Sequence, residues 1–422
     1  MPTLPDGPSP PMLALRSPII ERIEREAGVP DLVNILASRL APTDLQSLLL
    51  EVYRRRAKKR EPKALLEDHA SSRFNRPTAT SPPRLLEWDR TAFRLLPKLF
   101  QPIELSPVCP LGTVSVLSPI SQDWTVSTIR NTEVVADSTN VLALECAVRR
   151  REQRNFSSGK AASIHLAASH RLLRGQKFGV GPGTRQHFRI FTLCSAGRDS
   201  GNLQFETEAI GLHIGFYLRA LRVFLGTKTA LRVTVSDFRS KLARPIVRSR
   251  LVEKLQSADK RVRIGIDQDR KQGRGYYGQL CFKIFATSSK GREHELVDGG
   301  DVNWTQKLLN NAKERLIISG CGSERQCELF EPAASQGRTE RPRGYRRASF
   351  SFLSNSSNRS KLSSQYCWNS VAQTATSRKG LACSRHHRRW ASRRRSMRPA
   401  LSRTLRCLET AGWLIGRGSA SS

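Results

Sequence analysis

The apolar positions of this chain change period along its length. Between residues 42 and 60 they recur at helical spacing. Leu45, Leu48, Leu49 and Val52 fall at i, i+3, i+4 and i+7, an amphipathic stripe. Thr43-x-x-Gln46, just after Pro42, has the form of a capping box. Glu51 and Arg55 make an i,i+4 pair, and Arg54 to Lys59 set positive charge at the negative end of the helix dipole. Past residue 100 an alternating pattern takes over in short runs. Ser163–Ser169 and His187–Cys194 read as strands joined by a Gly-rich loop that includes Gly179-Val-Gly-Pro-Gly183. Ile103–Val108, Thr113–Leu117, Ala230–Val235, Val262–Ile266 and Leu280–Phe285 also look extended. Asp137-Ser-Thr-Asn opens a helix with Leu142 and Cys146 facing inward, and Phe205–Leu225 carries Ile210, Ile214, Tyr217, Leu218 and Leu221 at helical spacing. Strand runs interrupted by helices, with a hairpin in the middle, predict an α+β fold built on a largely antiparallel sheet flanked by helices. Beyond residue 326 neither period survives, so no core is specified there.

This divides the chain into a Pro-rich disordered start (1–17), a helical module and linker (18–84), a folded body (85–325) and an Arg/Ser-rich disordered tail (326–422). Charge sharpens the last boundary. The net charge is +35, and from Cys321 onward 20 Lys/Arg stand against 5 Asp/Glu. Two readings of the tail are open: a basic arm for RNA, or the product of a shifted reading frame, which would explain the abrupt loss of acids. The cluster Arg54–Arg60 is a second candidate RNA contact or a solvated helix end. The nine cysteines form no CxxC pair, and Cys109, Cys146, Cys194 and Cys281 sit in apolar runs, as core thiols do. A reducing, cytoplasmic location fits that usage. His386-His387 near Cys383 lacks a second ligand pair, so no metal site is expected. No run approaches the ~18 apolar residues of a membrane span.

Candidate chemistry lies in three stretches: Arg174-Gly-Gln176 with His187-Phe188, Gly273-Arg-Gly-Tyr276-Tyr277-Gly278, and Gly320-Cys-Gly322-Ser-Glu324-Arg325. A guanidinium grips phosphate oxygens in a bidentate manner, a planar ring stacks on a base, and glycines let a ligand approach the backbone. An ordinary β-hairpin with an exposed Arg would account for the first stretch, and a helix N-cap for Asp137 and Thr139.

In the order of these stretches the chain resembles the catalytic core of class II aminoacyl-tRNA synthetases, in particular histidyl-tRNA synthetase and its non-catalytic relative, the regulatory subunit of ATP phosphoribosyltransferase. The resemblance covers residues 100–325. It implies ATP as cofactor, with Mg2+, and an amino-acid-like ligand. Arg174 would hold the α-phosphate, with Gln176 replacing the family's Glu. Phe188 would stack on adenine, Gly320 and Gly322 would underlie it, and Arg325 would reach the γ-phosphate. Asp137 and Thr139 would bind the ligand's ammonium group beside Tyr276 and Tyr277. Gln272 stands where the family carries its recognition Arg. The resemblance further implies a homodimer through Pro102–Leu117. The two departures favour a regulatory or divergent binding protein over a tRNA-charging enzyme; an acyl-adenylate-forming ligase and an RNA-binding protein are the alternatives.

Overall fold

In the computed structural model of the chain, residues 17–156, 162–176, 185–240 and 244–330 are described. The expectations for residues 1–16, for the Gly179–Gly183 loop and for 331–422, including His386-His387, fall outside them.

Five described helices open on a proline in their first turn: Pro18–Ala27, Pro42–Lys58, Pro62–Ser71, Pro82–Leu95 and the short Pro245–Val247. Proline is favoured there because its missing N–H has no intrahelical partner to lose. Pro62 and Pro82 therefore start helices, while Pro77 lies in the irregular segment between them, and the expected linker is helical over half its length. Thr43-x-x-Gln46 does not cap the helix it lies in. That helix begins at Pro42, with Ala41 as its extended cap residue.

The strands, in chain order, are β1 (Gln101–Pro102), β2 (Val108–Pro110), β3 (Val126–Ser127), β4 (Thr132–Val134), β5 (Ile164–Leu173), β6 (His187–Arg198), β7 (Leu231–Asp237), β8 (Arg263–Ile266), β9 (Leu280–Thr287), β10 (Glu293–Val302) and β11 (Glu314–Gly322). Eight of them form one sheet in the order β1-β5-β6-β11-β10-β9-β7-β8. The six inner strands run antiparallel, as the alternation predicts, and parallel pairs close both edges, β1 with β5 and β7 with β8. A small sheet, β2-β4-β3, stands apart.

Alternation divides the large sheet into two faces. One is covered by the helices Gln204–Leu225 and Pro82–Leu95 around Trp88, Phe191, Phe216, Phe224, Phe282 and Ile317. The other packs Leu166, Cys194 and Ile318 against Leu142 and Cys146 of the helix Ser138–Phe156, together with Trp304 and Tyr277. The ion pair Arg150–Glu314 fastens that helix to β11, with both side chains 1% exposed and bonds of 2.9 and 3.1 Å. On the first face a polar seam crosses the core. His165 Nδ1 meets Ser195 Oγ at 2.8 Å, Ser195 Oγ meets His213 Nε2 at 2.9 Å, and His213 Nδ1 meets Ser319 Oγ at 2.7 Å. The cysteines expected in the core are buried there, and burial pushes the Cys146 and Cys281 thiols up to about 12.

Two expectations are corrected. Thr113–Leu117 is a helix, not a strand. Gly112 turns at φ 85°, and the Glu133 carboxylate accepts from the backbone N–H groups of Gly112 (2.9 Å) and Val114 (3.1 Å), which supplies a cap from a distant segment. The body also continues past 325. The helix Ser323–Leu329 runs across that boundary, with Gln326 and Phe330 buried.

Candidate functional site

Asp137 ends the segment after β4 and starts the helix Ser138–Phe156. Its Oδ1 accepts from the Thr139 backbone N–H (2.9 Å) and hydroxyl (2.7 Å), an N-cap in which Thr139 supports the acid. The other oxygen, Oδ2, faces Arg174 and Tyr276. Arg174, just past β5, brings Nη2 to 3.5 Å from it, while Arg174 Nε donates to the Ala136 carbonyl at 2.8 Å. The Tyr276 hydroxyl donates to the same Oδ2 at 3.4 Å. All three contacts of Oδ1 and Nε are tight; both contacts of Oδ2 are long, which leaves that oxygen with spare accepting capacity. The Arg174 guanidinium lies 5.2 Å above the Phe188 ring.

Neighbouring backbone fixes this arrangement. Gly175 donates its N–H to the Trp124 carbonyl at 2.7 Å, and a Cβ there would stand 2.9 Å from the Asp123 carbonyl oxygen. Arg73 Nη2 donates to the Gly175 carbonyl at 2.9 Å, and His187 Nε2 meets the Arg76 carbonyl at 2.7 Å, so the segment before the helix Pro82–Leu95 braces both strands of the hairpin at its loop end. Tyr276 and Tyr277 leave a tight turn in which Gly273 and Gly275 both adopt φ 85°, a conformation that favours glycine. Tyr277 lies flat on β10 because Gly300 has no side chain; a Cβ there would come within 2.7 Å of the ring. Burial raises both phenols well above their ordinary range, and the Asp137 and Asp298 carboxylates add to it, so both stay protonated donors.

A second ion pair flanks the tyrosines. Arg270, whose side chain is 3% exposed, donates Nη2 to Asp298 at 2.9 and 3.2 Å, donates Nε to the Gln272 carbonyl at 2.8 Å, and lies 5.5 Å over the Tyr277 ring. Desolvation raises the Asp298 carboxyl and Arg270 opposes it. Gln272 is occupied elsewhere: its Oε1 accepts from Lys283 Nζ at 2.8 Å, which also reaches Glu295 at 2.7 Å. The sequence placed Gln272 where the resemblance expects an Arg, and Arg270, two residues earlier, was missed. The available signal was an Arg three residues before a glycine turn that could fold back beneath it.

Between the small sheet and Arg174 lies a cavity of about 40 Å3, lined by Val114, Ile120, Trp124, Ala136, Asp137 and Arg174, with Gln176 at its rim. Asp137, Arg174 and Gln176 line this cleft, while Thr139 and Tyr276 touch Asp137, Phe188 lies against Arg174, and Tyr277 packs on Tyr276 in the core. The glycine motif takes a different part. A Cβ on Gly320 would stand 2.6 Å from Ile190 Cδ1, so that glycine is packed by an isoleucine, while one on Gly322 would meet Arg325 Cβ at an ordinary contact distance of 3.5 Å. Glu324 turns to Arg171 (2.7 Å) and Thr78 (3.0 Å). Arg325 is exposed in the first turn of its helix and makes no hydrogen bond or ion pair among the described residues. No group of three or more His, Cys, Asp or Glu among those residues is placed to hold a metal.

No family model and no curated protein sequence matches the chain. Solved structures do. Apo histidyl-tRNA synthetase from S. aureus matches at 14% identity and TM-score 0.42, over 59% of this chain and 66% of that one. A Bacillus halodurans protein described as an ATP phosphoribosyltransferase regulatory subunit/histidyl-tRNA synthetase matches at 14% identity and TM-score 0.44, over 60% and 82%. A histidine–tRNA ligase subunit from Alicyclobacillus acidocaldarius matches at 13% identity and TM-score 0.42, over 60% and 98%. The chain spans just under two thirds of the first of these proteins. The similarity is in the arrangement of strands and helices.

Proposed function

We propose that the cleft binds an amino-acid-like ligand next to ATP, and that the protein is a synthetase-derived regulatory or divergent binding protein rather than a tRNA-charging enzyme. The observation that carries this reading is the meeting of Asp137, Arg174 and Tyr276, three residues from distant parts of the chain, around an under-occupied carboxylate oxygen. An ammonium donates to that oxygen, and the cation of Arg174 takes a carboxylate or a phosphate beside it. Phe188 supplies the ring for adenine, shared with Arg174. Mg2+ would ride on the phosphates, since the described residues offer no carboxylate cluster for it.

Reduced chemistry is the reading's second half. Gln176 and Gln272 stand where the resemblance expects charged residues, and Gln272 is held by Lys283. Amino-acid-dependent exchange of pyrophosphate into ATP separates the two enzymatic possibilities. The binding reading expects ligand binding without exchange, and sustained exchange would establish the acyl-adenylate-forming alternative. The RNA-binding alternative is less favoured by the body: within Arg54–Arg60, Arg54 and Arg55 pair with Glu51, and Arg60 pairs with Asp68. RNA binding that survives removal of residues 331–422 and weakens steeply with salt would revive it.

Assembly as a homodimer belongs to the same proposal. Leu99, Leu111 and Val116 lie 47%, 46% and 73% exposed around β1 and the helix Thr113–Leu117, apolar surface that a second copy would cover. Light scattering at micromolar concentration checks it. No helix among the described residues is long and apolar enough to cross a membrane.

A further inference from the structure

The cavity beside Asp137 points to the class of ligand. Its apolar walls are Val114, Ile120, Trp124 and Ala136, and Thr125 and Gln176 also line it. Val114 and Ala136 are 2% and 4% exposed, and Trp124 forms the outer wall. These walls are held in place. Glu133 caps the Val114 N–H and accepts from Gln122 Nε2 at 2.7 Å, and the Trp124 carbonyl accepts from Gly175. The nearest hydroxyl, Thr125, is already used: it donates to the Gln122 carbonyl at 2.8 Å and accepts from Gln122 Nε2 at 2.6 Å. The cavity mouth carries the two charges, Asp137 Oδ2 and Arg174.

We infer that the ligand is a small apolar α-amino acid, with its ammonium on Asp137, its carboxylate facing Arg174, and its side chain in this cavity. The inference rests on the amino-acid reading of the same cleft and adds the side chain. Size sets the upper limit. About 40 Å3 of free volume is far below the roughly 150 Å3 cavity that admits benzene, and is of the order of one or two water- or methyl-sized groups. Side chains of one or two carbons fit, and valine tests the upper limit; an imidazole or an indole does not fit. Chemistry sets the second limit. A histidine ring placed here would face mostly apolar walls, and each ring nitrogen left unsatisfied there would cost about 1–3 kcal/mol. The cavity therefore discriminates against histidine, the amino acid named in the solved structures of similar fold.

Calorimetric titration of the full chain, with and without saturating ATP and Mg2+, tests this with L-alanine, L-2-aminobutyrate, L-valine and L-histidine. At least one of the three apolar amino acids is expected to bind at least tenfold more tightly than histidine, and isobutyrate, which lacks the ammonium, is expected not to bind. Val114→Phe fills the cavity and should weaken the apolar ligand at least tenfold while leaving ATP affinity within about twofold. Ile120→Ala, which enlarges it, should shift preference toward L-leucine and serves if the first variant does not fold. If histidine binds as well as the apolar amino acids, the side-chain inference is overturned and the amino-acid reading stands. If ATP binds but no amino acid does, the inference and the amino-acid half of the reading both fail. If nothing binds, the whole reading fails.

Discussion

Asp137 is the residue whose structural and binding roles can be pulled apart, because its two oxygens do different work. Oδ1 caps the helix Ser138–Phe156 through Thr139, and Oδ2 faces Arg174 and Tyr276. Asparagine caps helices about as well as aspartate, so Asp137→Asn keeps the Oδ1 contacts and removes the charge. The lost pairing with Arg174 is 3.5 Å long and Arg174 is 27% exposed, so it contributes at most about 1 kcal/mol. Asp137→Ala removes the cap as well and should cost about 0.5–2 kcal/mol more. Binding should respond in another order. A hydrogen bond between an ammonium and a carboxylate contributes about 1.5–3 kcal/mol, equivalent to a loss of about 10- to 150-fold in amino-acid affinity. Both variants should show that full loss, although only the alanine is clearly destabilised. Urea denaturation gives the stability and calorimetry the affinity. If Asp137→Asn binds the ligand as tightly as the unaltered protein, Asp137 is a helix cap and nothing more.

Three further outcomes follow from the packing. Arg150→Met or Glu314→Leu alone strands a buried charge and should destabilise by about 3–5 kcal/mol, whereas the double variant should lose clearly less than the sum of the two, as read from urea midpoints. Burial and then the neighbouring His165 hold His213 down at about 3, so between pH 6.5 and 3 the unfolded chain takes up a proton that the folded chain refuses. Stability is therefore present above about pH 6.5 and falls toward pH 3, with a slope of up to about 1.4 kcal/mol per pH unit that His213→Asn should flatten. Gly300→Ala would put a methyl group 2.5 Å from the Leu280 carbonyl and 2.7 Å from Tyr277, which should cost about 1–3 kcal/mol and displace the tyrosines, seen as a lowered melting temperature together with weakened ligand binding.

Where alternation or helical spacing was uninterrupted, the elements were legible. β5, β6, β7, β8 and β9 and the helix Gln204–Leu225 lie where their apolar periods put them. The misreadings have identifiable causes. Thr113–Leu117 has the composition of a strand, but the Glu133 carboxylate, from the distant β4, accepts from the N–H groups of Gly112 and Val114 and caps it as a helix. Pro62 and Pro82 look like linker residues until each is seen in the first turn of a helix. At the site, Asp137, Arg174 and Tyr276 could be named because each stands in a recognisable local pattern. Arg270 could not, since its role comes from a glycine turn that folds it back onto Asp298 and Tyr277. Arg325 shows the opposite case. It sits in the most literal of the motifs, yet it lies exposed and unpaired in the described structure while its neighbour Glu324 is drawn to Arg171.

The central claim is that Arg174 and Asp137 form one ligand site rather than an incidental surface pair. Calorimetric titration of Mg·ATP into the unaltered protein and into Arg174→Met, each with and without the amino acid that binds best, tests it most directly. The account predicts saturable ATP binding by the unaltered protein, weakening by at least tenfold in Arg174→Met with only a modest fall in melting temperature from the lost contacts to Ala136 and Asp137, and loss of amino-acid binding in the same variant. Equal ATP and amino-acid affinities in the two proteins, or no binding by either, would contradict it.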